Sequence, residues 1–490
     1  MSELLTSLAA FGPFKVLVVG DFMLDELVHG DASRLSPDAP VPVLTVDRID
    51  RAAGGASNVA TCLAGLGGLV QCCGVIGGDG AGGHLQSALK EAGCAVDGLV
   101  IDADRPTTVK RSLVGLAQHR HPQKMFRVDI ESSAPHSAST TAAIREQIAS
   151  HMRGVDAVCI EDYGKGVCDE ACCRFILETA KGLGIPVFVD PANRDSYAAY
   201  TGATVMTPNR TEAERACASL PGSPKSPEDM AATLLESLDL AAVVITLDRH
   251  GALLLERGGE AQLIPTRQRE VYDVTGAGDM VLAAVAAARV HGVTWRDAVV
   301  LANAAAGLEV EVFGAHPIPL ARVAQEVLRT VLPQEGKIRS RRDLLLELAA
   351  HREAGHRVVL TNGCFDVIHA GHVTYLRDAA EQGDVLVLGV NCDEQVHAMK
   401  GEGRPVYALH DRMTILGELA CVDYVISFDE PTAHELIEAV RPDLYVKGGD
   451  YSVEQINEHD LLSQLGIECR VLAYRPGLGS TDIVDQVRGV

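Results

Sequence analysis

The chain has 490 residues, 47% of them apolar, and a formal net charge of −23. That length predicts two or more domains at roughly 100–200 residues each, and the charge argues against a nucleic-acid surface, which is normally basic. Anionic ligands must therefore be met by local donors, not by the global field.

Thirteen cysteines include the adjacent pairs Cys72–Cys73 and Cys172–Cys173 but no C-x-x-C spacing. They are expected to be reduced core thiols. The N-terminus has no basic stretch leading into an apolar run, and no apolar run reaches about 18 residues. The expectation is a soluble, cytoplasmic protein with no membrane and no nucleic-acid partner.

In chain order, apolar β-branched runs at 16–20, 157–160, 186–190, 204–208 and 243–247 alternate with helical stretches. This pattern predicts buried parallel strands of a doubly wound α/β sheet. The stretches from about 26 to 48 and from about 107 to 130 are extended and partly alternating, and predict a small β lid. Near 331–342, Pro, Gly and a basic cluster predict a solvated linker between a domain at 1–330 and one at 343–490. A second α/β pattern follows, with strands expected at 357–362, 385–391, 424–428, 444–448 and 469–474.

Two motifs carry chemistry. D-V-T-G-A-G-D at 273–279 precedes a helical run. Gly276, Ala277 and Gly278 would present backbone N–H groups at a helix N-terminus, where unpaired donors and the helix dipole favour phosphate. Asp279 falls in the first turn, where a carboxylate can accept a proton from an attacking hydroxyl. Taken alone, the motif also fits a glycine turn with an acidic helix start. The second motif, G-C-F-D-V-I-H-A-G-H at 363–372, runs from a strand end into a helix. Spacing i, i+3 puts His369 and His372 on one face, where two imidazoles can stabilise a phosphate under attack. A zinc site would need further ligands that the neighbourhood lacks. No metal is expected to be held by the protein's ligands alone.

Residues 12–320 resemble the ribokinase-type sugar kinases. The resemblance rests on G-D-F-M-L-D at 20–25, G-G-A-S-N-V-A at 54–60, G-V-I-G-G-D-G-A-G at 74–82, T-P-N-R-T-E at 207–212 and the motif ending at Asp279. It implies Asp279 as the catalytic base and a sugar pocket formed by Asp25, Gly54, Gly55 and Asn58. It also implies that Asn209 and Glu212 organise magnesium and triphosphate. P-T-T-V-K-R at 106–111 and F-R-V-D at 126–129 resemble heptose-phosphate kinases, which makes Lys110, Arg111, Arg127 and Lys165 candidates for a substrate phosphate. Three positions depart from the pattern: Glu161 stands where a small residue or Ser is expected, Ala192 where Lys is frequent, and Asp248 where Gly is usual.

Residues 357–485 resemble the cytidylyltransferase-like nucleotidyltransferases, and K-G-G-D-Y at 447–451 resembles their adenylyltransferase subgroup. That resemblance implies catalysis by His369 and His372. Nucleotide contacts are implied for Gly363, Phe365, Asp366, Lys400 and Lys447, and for Ser480 and Thr481 in a final phosphate loop. Arg404 is a further phosphate candidate and Asp393 a ribose or loop contact. Leu478 and Gly479 stand in that loop where the subgroup usually reads Cys-Ser.

The two domains in this order resemble the bifunctional enzymes of ADP-heptose synthesis, which feed the lipopolysaccharide core. This implies ATP and Mg²⁺ as cofactors, heptose phosphates as substrates, and a separate phosphatase acting between the two steps. A homodimer paired through the lid is a further expectation. The residues alone leave open another sugar phosphate, CTP as donor, or a regulatory nucleotide-binding role for the second domain.

Overall fold

Short apolar runs bounded by turn residues become the strands of separate sheets in two units, Met1–Val327 and Leu328–Val490. This computed structural model describes residues 4, 7, 8, 10–116, 123–132, 134–218, 226–266, 275–311, 317–331, 336–449 and 452–472.

In the first unit the strands are β1 (Phe14–Gly20), β2 (Phe22–Leu35), β3 (Pro42–Gly55), β4 (Gly68–Gly77), β5 (Ala95–Asp102), β6 (Thr108–Leu116) and β7 (Gln123–Ile130). They continue with β8 (Ala157–Glu161), β9 (Val187–Asp190), β10 (Val205–Met206), β11 (Ala242–Thr246), β12 (Ala252–Glu256) and β13 (Gln262–Ile264). The main sheet has nine strands in the order β13-β12-β11-β10-β9-β8-β1-β4-β5. β1 is buried at every position but Lys15, and β8 is buried throughout. Helices cover both faces of such a sheet, so its strands read as continuous apolar runs. The expected parallel strands are present. The alternation did not reveal the antiparallel edge made by β12 and β13.

β1 pairs in parallel with β4 on one side and β8 on the other. The chain winds outward first one way and then the other, which leaves a crevice at the carboxyl ends of β1 and β8. Gly20 and Glu161 lie opposite each other there. The Ala-rich helix Ala277–Val290 is buried along most of its length and packs between helices Ala56–Gly65 and Trp295–Glu309. Small side chains permit that close approach.

The lid is a second sheet, ordered β3-β2-β6-β7. It is longer than expected: the β2–β3 hairpin starts at Phe22 and ends at Gly55, so the lid grows directly out of the strands that carry the pocket residues.

In the second unit, β14 (Val358–Gly363), β15 (Val385–Asn391), β16 (Tyr424–Phe428), β17 (Leu444–Gly448) and β18 (Glu468–Leu472) form a parallel sheet in the order β16-β15-β14-β17-β18. All five expected strands are there, and the order again reverses beside the first strand of the unit. The expected solvated linker is corrected in its described part. Ile338 bridges Val425 in parallel, Lys337 Nζ donates to Leu419 O at 2.6 Å, and Ser340 caps helix Arg341–Glu353. Residues 336–342 are thus built into the second unit, because a free sheet edge at β16 accepts them.

Candidate active sites

In the first unit, Gly276 has φ 91° and caps helix Ala277–Val290. That left-handed conformation suits glycine. A Cβ there would also lie 2.5 Å from Glu309 Oε1 and 2.7 Å from Asn58 Nδ2. Asp279, in the first turn, is only 4% exposed. Its Oδ2 accepts from Asn58 Nδ2 at 2.8 Å and its Oδ1 from Tyr163 Oη at 3.2 Å. Burial, with a contribution from the Asp25 charge, pushes its carboxyl up to about 7, although both hydrogen bonds and the Lys110 charge oppose that shift. A carboxylate poised near neutrality at a helix N-terminus can take a proton from a hydroxyl.

The predicted sugar-side residues gather around this point from the lid. β2 and β6 pair so that Asp25 lies opposite Lys110, and Asp25 packs against Gly54, where a Cβ would lie 2.6 Å from Asp25 Oδ1. Gly55, at φ 53°, starts helix Ala56–Gly65, whose first turn holds Asn58. Lys110 Nζ sits 4.0 Å from the Tyr163 ring centroid. Other cations are engaged within the protein. Arg111 and Arg51 both bind Glu26, at 2.7 and 3.0 Å, which removes Arg111 from the phosphate candidates. Arg127 forks onto Asp129 at 2.7 and 2.8 Å, and Lys165 Nζ pairs with Glu131 at 2.7 Å.

Asn209 and Glu212 form a capping box at helix Arg210–Cys217: Asn209 Oδ1 accepts from Glu212 N at 3.0 Å, and Glu212 Oε2 accepts from Asn209 N at 2.8 Å. This fixes the Glu212 carboxylate near Asp190, whose carboxyl is pushed well up by burial and then by the charges of Glu212 and Asp279. Burial and the charges of Asp190 and Asp279 push Glu161 up in the same way. Asp248, the third departure, has φ 50°, the left-handed conformation for which glycine is the usual choice and which Asp tolerates.

Several site residues escaped the sequence reading. Asp21 Oδ2 accepts from the backbone N–H of Tyr163 and of Lys165, both at 2.9 Å, and so shapes the 161–166 loop. Tyr163 and Glu309 reach the Asp279–Asn58 pair from distant segments. Asp21 lies inside the G-D-F-M-L-D stretch at 20–25 and Tyr163 between Glu161 and Lys165, whereas Glu309 sits in an ordinary-looking helix and its only signal is a charge in an apolar run. Asp273 and Val274 lie outside the described residues.

In the second unit, His369 caps helix Ala370–Ala380, its Nδ1 accepting from Gly371 N at 3.1 Å. That bond leaves the proton of a neutral ring on Nε2, free to donate. The His369 and His372 rings lie 4.0 Å apart. Burial and the Lys400 charge lower His369; burial first, then His369 and Lys400, brings His372 down to about 4. Both imidazoles are therefore neutral at pH 7 and act as hydrogen-bonding groups until an anion arrives. Lys400 supplies the charge beside them.

Other predicted contacts prove to be internal. The Asp366 side chain is fully buried, accepting from Val406 N at 2.6 Å and pairing with Arg404. It anchors the 400–406 loop, so neither Asp366 nor Arg404 offers a free charged group to phosphate. Phe365 has φ 46°, is 5% exposed and packs against the His372 ring at 5.3 Å, so its side chain braces the histidine. Gly363 makes room for the Phe365 ring, since a Cβ would meet it at 3.0 Å. Lys447 lies 4.0 Å from Glu458 Oε1, and burial lowers its ammonium below the usual range. Arg412, unnoticed in the sequence, is wholly buried and joins Cys364 O, Tyr407 O and Asp393 Oδ1. Ser480 and Thr481 lie outside the described residues.

Residues 14–321 match the pfkB family carbohydrate kinases and residues 360–484 the cytidylyltransferase-like family. A bifunctional protein HldE of Pseudomonas aeruginosa is 41% identical over 488 residues, 98% of this chain and 99% of that protein. The HldE of Citrifermentans bemidjiense is 39% identical over 473 residues, 96% of each chain. Phosphofructokinase-2 from Escherichia coli, solved with substrates and products, superposes with a TM-score of 0.53 at 17% identity and covers 65% of this chain and all of its own. That likeness is one of fold. A pfkB family carbohydrate kinase region and a cytidylyltransferase-like region lie on one polypeptide, related along nearly its whole length to the relatives above: the chain belongs to the bifunctional HldE family.

Proposed function

We propose that this enzyme carries out two steps of ADP-heptose synthesis. In the first unit, the O1 hydroxyl of D-glycero-β-D-manno-heptose 7-phosphate attacks the γ-phosphorus of ATP. Asp279 takes the hydroxyl proton, the P–O bond to ADP breaks, and heptose 1,7-bisphosphate results. The N–H groups of Gly276, Ala277 and Gly278 hold the developing negative charge. Asn58 and Tyr163 keep Asp279 in position, and Asp25 and Lys110 face the sugar from the lid. Mg²⁺ neutralises the triphosphate when bound, and the acidic corner of Glu212 and Asp190 suits a cation.

In the second unit, a phosphate oxygen of heptose 1-phosphate attacks the α-phosphorus of ATP. Pyrophosphate leaves, and ADP-heptose forms. His369 donates from Nε2 and Lys400 adds charge, while His372 gains its proton or hydrogen bond as the phosphates approach. No protein nucleophile is needed. A separate phosphatase removes the 7-phosphate between the steps.

Two further expectations belong to this reading. The lid exposes Val46, Ile49, Phe126 and Val128 on its outer strands β3 and β7, which supports pairing of two lids in a homodimer. None of the helices in the described residues is long and apolar enough to cross a membrane, which accords with a cytoplasmic site of action.

The observation that carries the reading is the pair of helix N-termini on one chain, one furnished with Gly276 and Asp279, the other with His369 and His372. The test is product analysis by mass spectrometry with heptose 7-phosphate and ATP·Mg²⁺. Bisphosphate should appear alone, and ADP-heptose only when a 7-phosphatase is added. Bisphosphate in both reactions would remove the second assignment, and no heptose turnover would remove the sugar assignment.

A further inference from the structure

Glu309 is the last residue of helix Trp295–Glu309, and it is buried. Both circumstances disfavour a carboxylate. The carbonyl end of a helix repels negative charge, and burial strips the group of water. The two reaction steps above make no use of Glu309, so its contacts must account for it.

Those contacts converge on one amide. Asn58 Nδ2 carries two hydrogens. It donates to Asp279 Oδ2 at 2.8 Å and, over a longer 3.4 Å, to Glu309 Oε1. On the other side of the amide, Cys62 Sγ donates to Asn58 Oδ1 at 3.7 Å, one turn along the same helix. Burial, then the Glu309 charge, pushes the Cys62 thiol well above its ordinary range, so it remains an S–H donor. Packing closes the group, since the Cβ that Gly276 lacks would collide with both Glu309 Oε1 and Asn58 Nδ2. Three helix ends therefore meet here: the starts of Ala56–Gly65 and Ala277–Val290 and the end of Trp295–Glu309.

A side-chain amide has nearly the same shape either way round. Flipping Asn58 would turn its oxygen toward the Asp279 carboxylate in place of its N–H groups. Against Asp279 alone, the flip exchanges one hydrogen bond for one repulsion. With Glu309 and Cys62 in place, the oxygen would face two carboxylates, and the NH₂ group, which accepts nothing, would face an S–H donor.

We propose that Glu309 and Cys62 are positioning residues for the kinase reaction, which from opposite sides lock the Asn58 amide with its N–H groups toward Asp279. The lock serves catalysis by holding the base in line with the hydroxyl it deprotonates, and to that extent rests on the assignment of Asp279 as the base. Glu309 acts through Asn58 and transfers no proton. It needs only to present an acceptor oxygen, so a neutral side chain of the same length can replace it.

The test compares three variants of the full-length protein. Glu309→Leu removes the acceptor and should lower kcat for bisphosphate formation about tenfold, the worth of one hydrogen bond to a charged group, with the Michaelis constants for sugar and ATP little changed. Glu309→Gln keeps an oxygen and should recover most of that loss. Cys62→Ala leaves Glu309 in place and should lower kcat by a smaller factor, again without moving the Michaelis constants, so it tests the lock even if Glu309→Leu does not fold. A second arm needs no substrate. In protein labelled with ¹⁵N-asparagine, the Asn58 side-chain protons, identified by their loss in Asn58→Ala, should both resonate downfield of the usual amide range. At least one should return to that range in Glu309→Leu but not in Glu309→Gln. Equal losses of kcat in Glu309→Gln and Glu309→Leu, a loss carried by the Michaelis constants alone, or Asn58 protons that Glu309→Leu leaves in place would each overturn the proposal. A wild type that forms no bisphosphate would instead overturn the kinase assignment beneath it, and the resonance arm would still show whether Glu309 holds the amide.

Discussion

Asn58 Nδ2 donates to Asp279 Oδ2 across 2.8 Å, joining the first turns of two helices that lie more than 200 residues apart in sequence. The bond lowers the Asp279 pKa against the burial that raises it. Asn58→Ala should therefore move the acid limb of the kinase kcat–pH profile to higher pH. It should also reduce kcat at pH 7 by about 10–100-fold, the share expected from a misplaced and more often protonated base. The profile separates this from a purely structural loss: recovery of rate at pH 9 is expected, and a uniform loss at all pH values would refute the role.

The two sites should fail separately. Asp279→Asn should lower bisphosphate formation by about 10²–10⁴-fold and leave adenylyl transfer to supplied heptose 1-phosphate intact. His369→Ala should do the reverse, by roughly 10²–10³-fold. Each is checked by assaying both half-reactions on the same preparation, and loss of both from one folded variant would contradict the division.

Asp279 also makes a prediction about stability. Its folded pKa, about 7, lies above the ordinary value of an unfolded aspartate, about 3.9. The folded state therefore binds the proton more tightly. The contribution is fully present below about pH 4 and is lost as pH rises through about 7. Asp279→Asn should accordingly melt higher than the wild type at pH 8, by about 2 °C or more, and the difference should shrink toward pH 5. Calorimetry in EDTA at the two pH values checks the sign.

Arg412 holds three segments of the second unit together from a fully buried position. Removing it strands the Cys364 and Tyr407 carbonyls, while Asp393, partly exposed, keeps its bond from Leu409 N. Arg412→Ala should cost the second unit about 1–3 kcal/mol for each stranded carbonyl, read as lowered hydrogen-exchange protection in β14 and β15 with the first unit's protection unchanged.

Much of the architecture was legible because burial on both faces leaves a simple trace. β1, β8 and β14–β17 are apolar over most of their lengths. The catalytic candidates were legible for a related reason: a helix N-terminus that meets phosphate needs glycine and a placed acid or imidazole within a few residues, so the whole device is local. The antiparallel β12–β13 edge was less visible, since a short apolar run does not reveal its direction.

The charged residues divide differently. Arg111 and Arg404 looked like phosphate ligands until the fold gave them Glu26, 85 residues away, and Asp366, 38 residues away. Arg412 carried no signal, Asp21 only its place in a motif and Glu309 only a charge in an apolar run, because each acts on groups from distant segments. Glu161 read only as an oddity until β9 and helix Ala277–Val290 brought two more carboxylates to it. Periodicity and local motifs thus determined the two domains, their sheets and the two helix starts that carry the catalytic candidates, since these depend on neighbours in sequence. Tertiary structure alone decided which charges remain free, which are paired and which crowd together, because an ion pair depends on distance in space and the chain does not record that distance.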